Sequence, residues 1–117
     1  MEKLELPHGE YLQFAKYILE KQDESARVFI EFAQKPSLGM FIEAAAQSCA
    51  ALNQDKDTKE GYLVALKNVT LHNRIEKKSY EVIVSREYAL EQMFYIKFEV
   101  KDKDLKIVDG YLTIATH

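Results

Sequence analysis

One cysteine, two prolines, four glycines and no long apolar run mark this chain of 117 residues. A lone cysteine, Cys49, rules out an intramolecular disulfide and a multi-cysteine zinc framework. It stands among small apolar residues, so it reads as a buried small hydrophobe rather than a nucleophile. With so little proline and glycine there is no flexible linker, and no repeat or low-complexity tract appears. The N-terminal residues carry no apolar core of signal-peptide type. No segment reaches the ~20 apolar residues of a membrane-spanning helix. The expected location is therefore the cytoplasm. An excess of base is also lacking: 16 Lys and Arg stand against 19 Asp and Glu, for a net charge of -3. The bases are scattered, so no electrostatic footprint for DNA or RNA is present. There is no GxGxxG, Walker A or GxSxG motif. No two histidines share an element at ligand spacing, so neither a metal nor a cofactor is expected.

The remaining composition, 47% hydrophobic and 30% charged, is that of a globular protein. The length suits one domain over residues 1–117. It is also short enough that a dimer helps bury apolar surface.

Residues 36–52 are the most informative stretch. Pro36 and Ser37 open a helix over 38–52, with Ser37 as N-cap. Ala44, Ala45, Ala46, Ala50 and Ala51 make it apolar nearly all round, which predicts burial. Within it lies one acid, Glu43, with Gln47 one turn later on the same face. An acid in such a helix is expected to face a tunnel or dimer interface, with its pKa raised by desolvation, as acids at active sites often are. The alternative is a buried acid satisfied by hydrogen bonds without catalysis.

Beyond the polar stretch 53–60 the apolar period changes to two. Strands are predicted over 62–72, 79–88, 92–101 and 105–116. The clearest alternates Phe94, Ile96, Phe98 and Val100 with Tyr95, Lys97, Glu99 and Lys101. Residues 25–33 also alternate, and 11–21 fit strand and helix equally well. Strands segregated around one helix give an α+β class, with an antiparallel sheet curled around a long central buried helix.

Three segments carry a resemblance to a known family. They are Leu6-Pro7-His8, the helical Glu43-Ala44-Ala45-Ala46-Gln47, and the strand Gly61–Val69. Together they resemble the hot-dog-fold β-hydroxyacyl-acyl-carrier-protein dehydratases over nearly the whole chain. That family carries a G-H-F-P-G loop before the helix, and its histidine is the catalytic base. Here the corresponding segment, Phe32–Gly39, contains no histidine. The chain is thus more similar to short dehydratase-like proteins found beside fatty-acid-like or aryl-polyene biosynthesis enzymes.

The resemblance implies dehydration of a 3-hydroxyacyl thioester borne on acyl carrier protein or coenzyme A. The reaction removes a proton from C2 and the hydroxyl from C3, and so needs a base and an acid. Glu43 supplies the carboxyl group. His8 and His72 are the candidate imidazoles, each with a partly exposed, non-functional alternative. Gly39 would let substrate approach the helix N-terminus, whose N–H groups polarise a carbonyl. Gln47 is the further substrate-binding candidate, or a helix residue bonded within the core. Two other readings stand beside the dehydratase. One is a non-catalytic acyl-binding subunit that forms a heterodimer with a homologue. The other is an acyl thioesterase. The basic run Arg74-Ile75-Glu76-Lys77-Lys78 is a solvated turn, or the counterpart of an acidic carrier surface.

Overall fold

The computed structural model describes residues 2–4, 13–53 and 61–116. Its elements are β1 (Glu2–Lys3), β2 (Ala15–Lys21), β3 (Ser25–Glu31), α1 (Leu38–Ser48), β4 (Gly61–Leu71), β5 (Ser79–Leu90), β6 (Met93–Asp102) and β7 (Leu105–Thr116). A turn of 3₁₀ helix, Cys49–Asn53, continues α1. The single helix expected over 38–52 is therefore α-helical for 11 residues and tighter thereafter. The ambiguous 11–21 segment is a strand from Ala15 onward. β1 was not apparent in the sequence, because two residues show no period.

All strand pairs are antiparallel, and the order across the sheet is β1-β2-β3-β5-β6-β7-β4. Alternation decides which face is inside. Ala26, Val28 and Ile30 of β3, Tyr80, Val82 and Val84 of β5, and Ile96, Phe98 and Val100 of β6 are all buried. They pair in register, Val28 with Val82 and Val84 with Phe98, so they form one continuous apolar surface. On β7 the surface continues through Val108, Gly110, Leu112 and Ile114. Gly110 permits a close approach at the sheet's edge. A Cβ there would stand 3.0 Å from the Cα of Val69 and 3.1 Å from the Phe98 ring. Opposite it, β4 bulges at Asn68, whose φ of 53° lies in the left-handed region that asparagine tolerates.

α1 packs on this surface. Ser37 caps it as expected, its Oγ accepting from the Met40 N–H at 3.2 Å. Phe41 is fully buried and meets the rings of Phe32 and Tyr80 edge-on, at 5.5 and 4.9 Å. Ala44 and Ala45 are fully buried, because small side chains let the helix lie close to the sheet. Ser48 is buried too, its Oγ donating to the Ala44 carbonyl.

β4 ends the sheet with no further strand beside it among the described residues. It is long and apolar, yet none of it is buried. Leu63 pairs with Ile114 and Leu66 with Leu112, so both extend the core face past two buried residues. They are nevertheless 38% and 46% exposed. Tyr62, Val64 and Leu71 are exposed as well. A long, exposed apolar edge strand invites pairing with another chain.

Candidate functional site

Glu43 sits one and a half turns into α1, on the side that the sheet does not cover. Gly39 and Glu43 are exposed, while Ile42, Ala46 and Ala50 are half-buried. These five positions recur at helical spacing and form one stripe. The all-round burial expected of this helix is therefore not found within the single chain. Within one chain Phe41, Ala44, Ala45, Gln47 and Ser48 are buried, and Ile42, Ala46 and Ala50 are covered in part. A desolvated Glu43 is likewise not found there. The surrounding stripe remains apolar, with the carboxylate as its only acid.

Gln47 holds that carboxylate. Its Oε1 accepts from the Phe14 and Ala15 N–H groups, at 2.8 and 3.1 Å. Two donors on one oxygen fix which end of the carboxamide is the acceptor. The Nε2 group is then directed back at Glu43 Oε1, 3.3 Å away. Start of β2, Gln47 and Glu43 thus form one hydrogen-bonded series. Gln47 itself is 5% exposed. The sequence placed Gln47 and Glu43 on one face, and the structure brings them together. The donors at Phe14 and Ala15 were not identifiable in advance, because backbone N–H groups carry no sequence signature. Gly39 is in the first turn, and a Cβ there would touch only Ser37 Oγ, at 3.8 Å. Nothing in the chain itself demands glycine at this position.

His72 is not part of this arrangement in the single chain. Its Nε2 lies 2.8 Å from Asp109 Oδ1. Asp109 alternates with Val108 and Gly110 of the core face, so it projects from the opposite side of the sheet to α1. Lys106 also meets Asp109, at 3.3 Å. The His72 hydrogen bond, aided by Lys106, holds the Asp109 carboxyl below the usual carboxylate range. A depressed acid stabilises the fold above its unfolded pKa, and this contribution is lost as pH falls through the folded value. His72→Ala is expected to raise the Asp109 pKa, read by carboxyl-carbon NMR titration. Stability near neutral pH should fall by no more than about 1 kcal/mol, because the pair is partly exposed. An unmoved Asp109 titration would show that the bond is not formed in solution. The pair escaped sequence reading because its members are 37 residues apart and joined only by sheet register.

His8 lies outside the described residues. Cys49 is buried as expected, and burial pushes its thiol up to about 12. A protonated, enclosed thiol is a poor nucleophile. Among the described residues, no group of three or more His, Cys, Asp or Glu side chains could hold a metal ion. None of their helices is long and apolar enough to cross a membrane.

No family model matches the chain, and no curated relative matches its sequence. Solved structures do match. The dehydratase heterocomplex ApeI:P from Xenorhabdus doucetiae superposes with a TM-score of 0.79 at 12% identity, over 96% of this chain and 88% of that one. Cj0977, a sigma28-regulated virulence protein from Campylobacter jejuni, gives 0.75 at 11% identity, over 99% and 93%. A mutant of the thioesterase SAV0944 from Staphylococcus aureus subsp. aureus Mu50 gives 0.69 at 12% identity, over 85% and 90%. At such identities the likeness concerns the fold. An antiparallel seven-stranded sheet with one helix packed on it, shared with these proteins, is the hot-dog fold.

Proposed function

We propose that the protein is an acyl-thioester enzyme, with Glu43 as its acid/base, acting as a dimer joined along β4. The observation that carries this reading is the Glu43 carboxylate. It stands on an apolar helical stripe and is held by a glutamine whose own orientation is fixed by two backbone donors. Such pre-orientation is costly to build for an ordinary surface acid, and is what acid/base chemistry requires. A second subunit seated on β4 would extend the sheet, cover Leu63 and Leu66, and desolvate the open side of the site.

Dehydration of a 3-hydroxyacyl thioester is the leading reaction. In it, Glu43 protonates the leaving C3 hydroxyl while a base takes the C2 proton. His8 is the candidate base, since His72 bonds to Asp109 on the side of the sheet opposite α1 and Glu43. Thioester hydrolysis is the second reading. It needs one carboxylate to activate water, and the segment before α1 lacks the histidine that dehydration uses. The pure protein is to be given a 3-hydroxyacyl and a saturated acyl thioester. Dehydration appears as the enoyl chromophore without thiol release. Hydrolysis appears as free thiol from both. Activity in neither assay, but enoyl formation when a homologous hot-dog subunit is added, would replace both readings by the accessory-subunit one.

A further inference from the structure

Among the described residues three polar ones are buried, Gln13, Gln47 and Ser48. Ser48 bonds within its own helix. The two glutamines grip the same piece of main chain from different sides. Gln47 Oε1 accepts from the N–H groups of Phe14 and Ala15. Gln13 Nε2 donates to the Ala15 carbonyl at 2.7 Å and to the Leu4 carbonyl at 2.9 Å. Two carbonyls on one NH₂ group fix the orientation of the Gln13 carboxamide, as two N–H donors fix that of Gln47.

The main chain at Phe14 and Ala15 departs from strand geometry. In a regular strand the N–H and carbonyl of one residue face the same neighbour, and successive N–H groups leave on opposite sides. The Phe14 carbonyl faces β3 and accepts from the Glu31 N–H at 2.9 Å, but the Phe14 N–H is turned away to Gln47. It thereby shares one acceptor with its neighbour Ala15, at the point where β2 begins. This shared acceptor is what orients Gln47 and, through Gln47 Nε2, Glu43. Gln13 holds the Ala15 peptide from its carbonyl end. Its second partner is a firm anchor, because the Leu4 N–H donates to the Lys16 carbonyl at 3.0 Å and the Leu4 side chain is buried.

We propose that Gln13 is a positioning residue for Glu43, acting through the Phe14 and Ala15 N–H groups and then Gln47. The inference rests on the acid/base reading of Glu43 above, and Gln13 itself touches no substrate. Without its carboxamide the Ala15 peptide turns, the two N–H groups cease to converge, and Gln47 Nε2 leaves the carboxylate. A carboxylate that has lost its set direction still meets the thioester but catalyses less well. The competing account is that Gln13 merely ties β1 to β2 through Leu4. That account predicts a less stable protein whose folded form turns over at the full rate.

The test replaces Gln13 by Leu, which keeps its bulk and removes both donors. The substitution is made in the full chain and in the Glu43→Gln background. Glu43→Gln alone and Val82→Ala, a truncation at a fully buried position of β5, are the controls. Rates are measured on the 3-hydroxybutyryl and butyryl thioesters of N-acetylcysteamine, at a temperature where every variant is folded. Gln13→Leu is expected to lower kcat by about 10–10²-fold, with KM near its wild-type value. In the Glu43→Gln background it should lower kcat no further, because residues that act as a unit are not additive. Hydrogen exchange followed by NMR should show the Phe14 and Ala15 N–H groups exchanging faster in Gln13→Leu, and the Val82 N–H unchanged. An undiminished kcat, a loss no greater than that of Val82→Ala, unaltered exchange at Phe14 and Ala15, or an equal further loss in the Glu43→Gln background overturns the proposal. Should Gln13→Leu fail to fold, Gln13→Asn, whose carboxamide is one methylene too short to reach both carbonyls, takes its place with the same readings. Full turnover in Glu43→Gln, or none in the wild type, removes the acid/base reading and the role of Gln13 with it. Loss in Glu43→Gln without loss in Gln13→Leu removes the role of Gln13 alone.

Discussion

Glu43→Gln is expected to lower turnover of the preferred thioester by roughly 10²–10⁴-fold, the usual worth of a positioned acid/base group. The fold should be unaffected. Glu43 is exposed in the chain, and exposed substitutions usually change stability by less than about 0.5 kcal/mol. A glutamine also keeps an oxygen that can accept from Gln47 Nε2. Gln47→Ala is expected to behave differently. It removes the acceptor of the Phe14 and Ala15 N–H groups, and leaving buried donors unpaired costs about 1–3 kcal/mol each. The Gln47 variant should therefore lose both stability and turnover, whereas the Glu43 variant loses turnover only. Paired thermal melts and initial rates on the two proteins separate these outcomes. Undiminished turnover in Glu43→Gln would remove the carboxylate from the mechanism.

This contrast bears on what could be known from the sequence. Strands were readable wherever one face meets the core and the other meets water. Residues 92–101 and 105–116 alternate accordingly, and appear as β6 and β7 within a residue of their expected bounds. Ser37 was readable as a cap because its chemistry is local. The exposure of Glu43 was not readable. An all-apolar helix reports that every side is to be covered, not whether the same chain does the covering. The Tyr62–Leu66 run poses the same difficulty, since a continuous apolar run fits a central strand or an edge awaiting a partner. Register-dependent contacts were also hidden, as with His72 and Asp109 or Arg27 and Glu81. The features that sequence reading missed are therefore those that depend on long-range pairing or on a second molecule.

The edge strand gives the second large expected effect. The protein should run in solution at twice its chain mass of 13.6 kDa. Leu66→Glu should return it to one chain mass. In a two-fold interface every contact occurs twice. Burying a fully exposed leucine contributes about 1.5–3 kcal/mol, and about half of Leu66 remains to be covered, so losing it on both subunits costs about 1.5–3 kcal/mol, or roughly 10–10²-fold in the dimer Kd, before the further cost of burying the introduced carboxylates. The folded single chain should hardly be affected, because Leu66 is 46% exposed there. This asymmetry distinguishes an interface residue from a core residue. Leu112, its neighbour on β7, is 1% exposed, and Leu112→Ala should cost about 2–5 kcal/mol of folding stability whatever the assembly. Sedimentation velocity on the two variants, with melts recorded alongside, checks both. Turnover should fall with the dimer in Leu66→Glu, because the open stripe around Glu43 then stays wet and the carboxylate solvated. A wild-type protein sedimenting as one chain, or a Leu66→Glu protein that remains dimeric, would show that β4 is not where two chains meet.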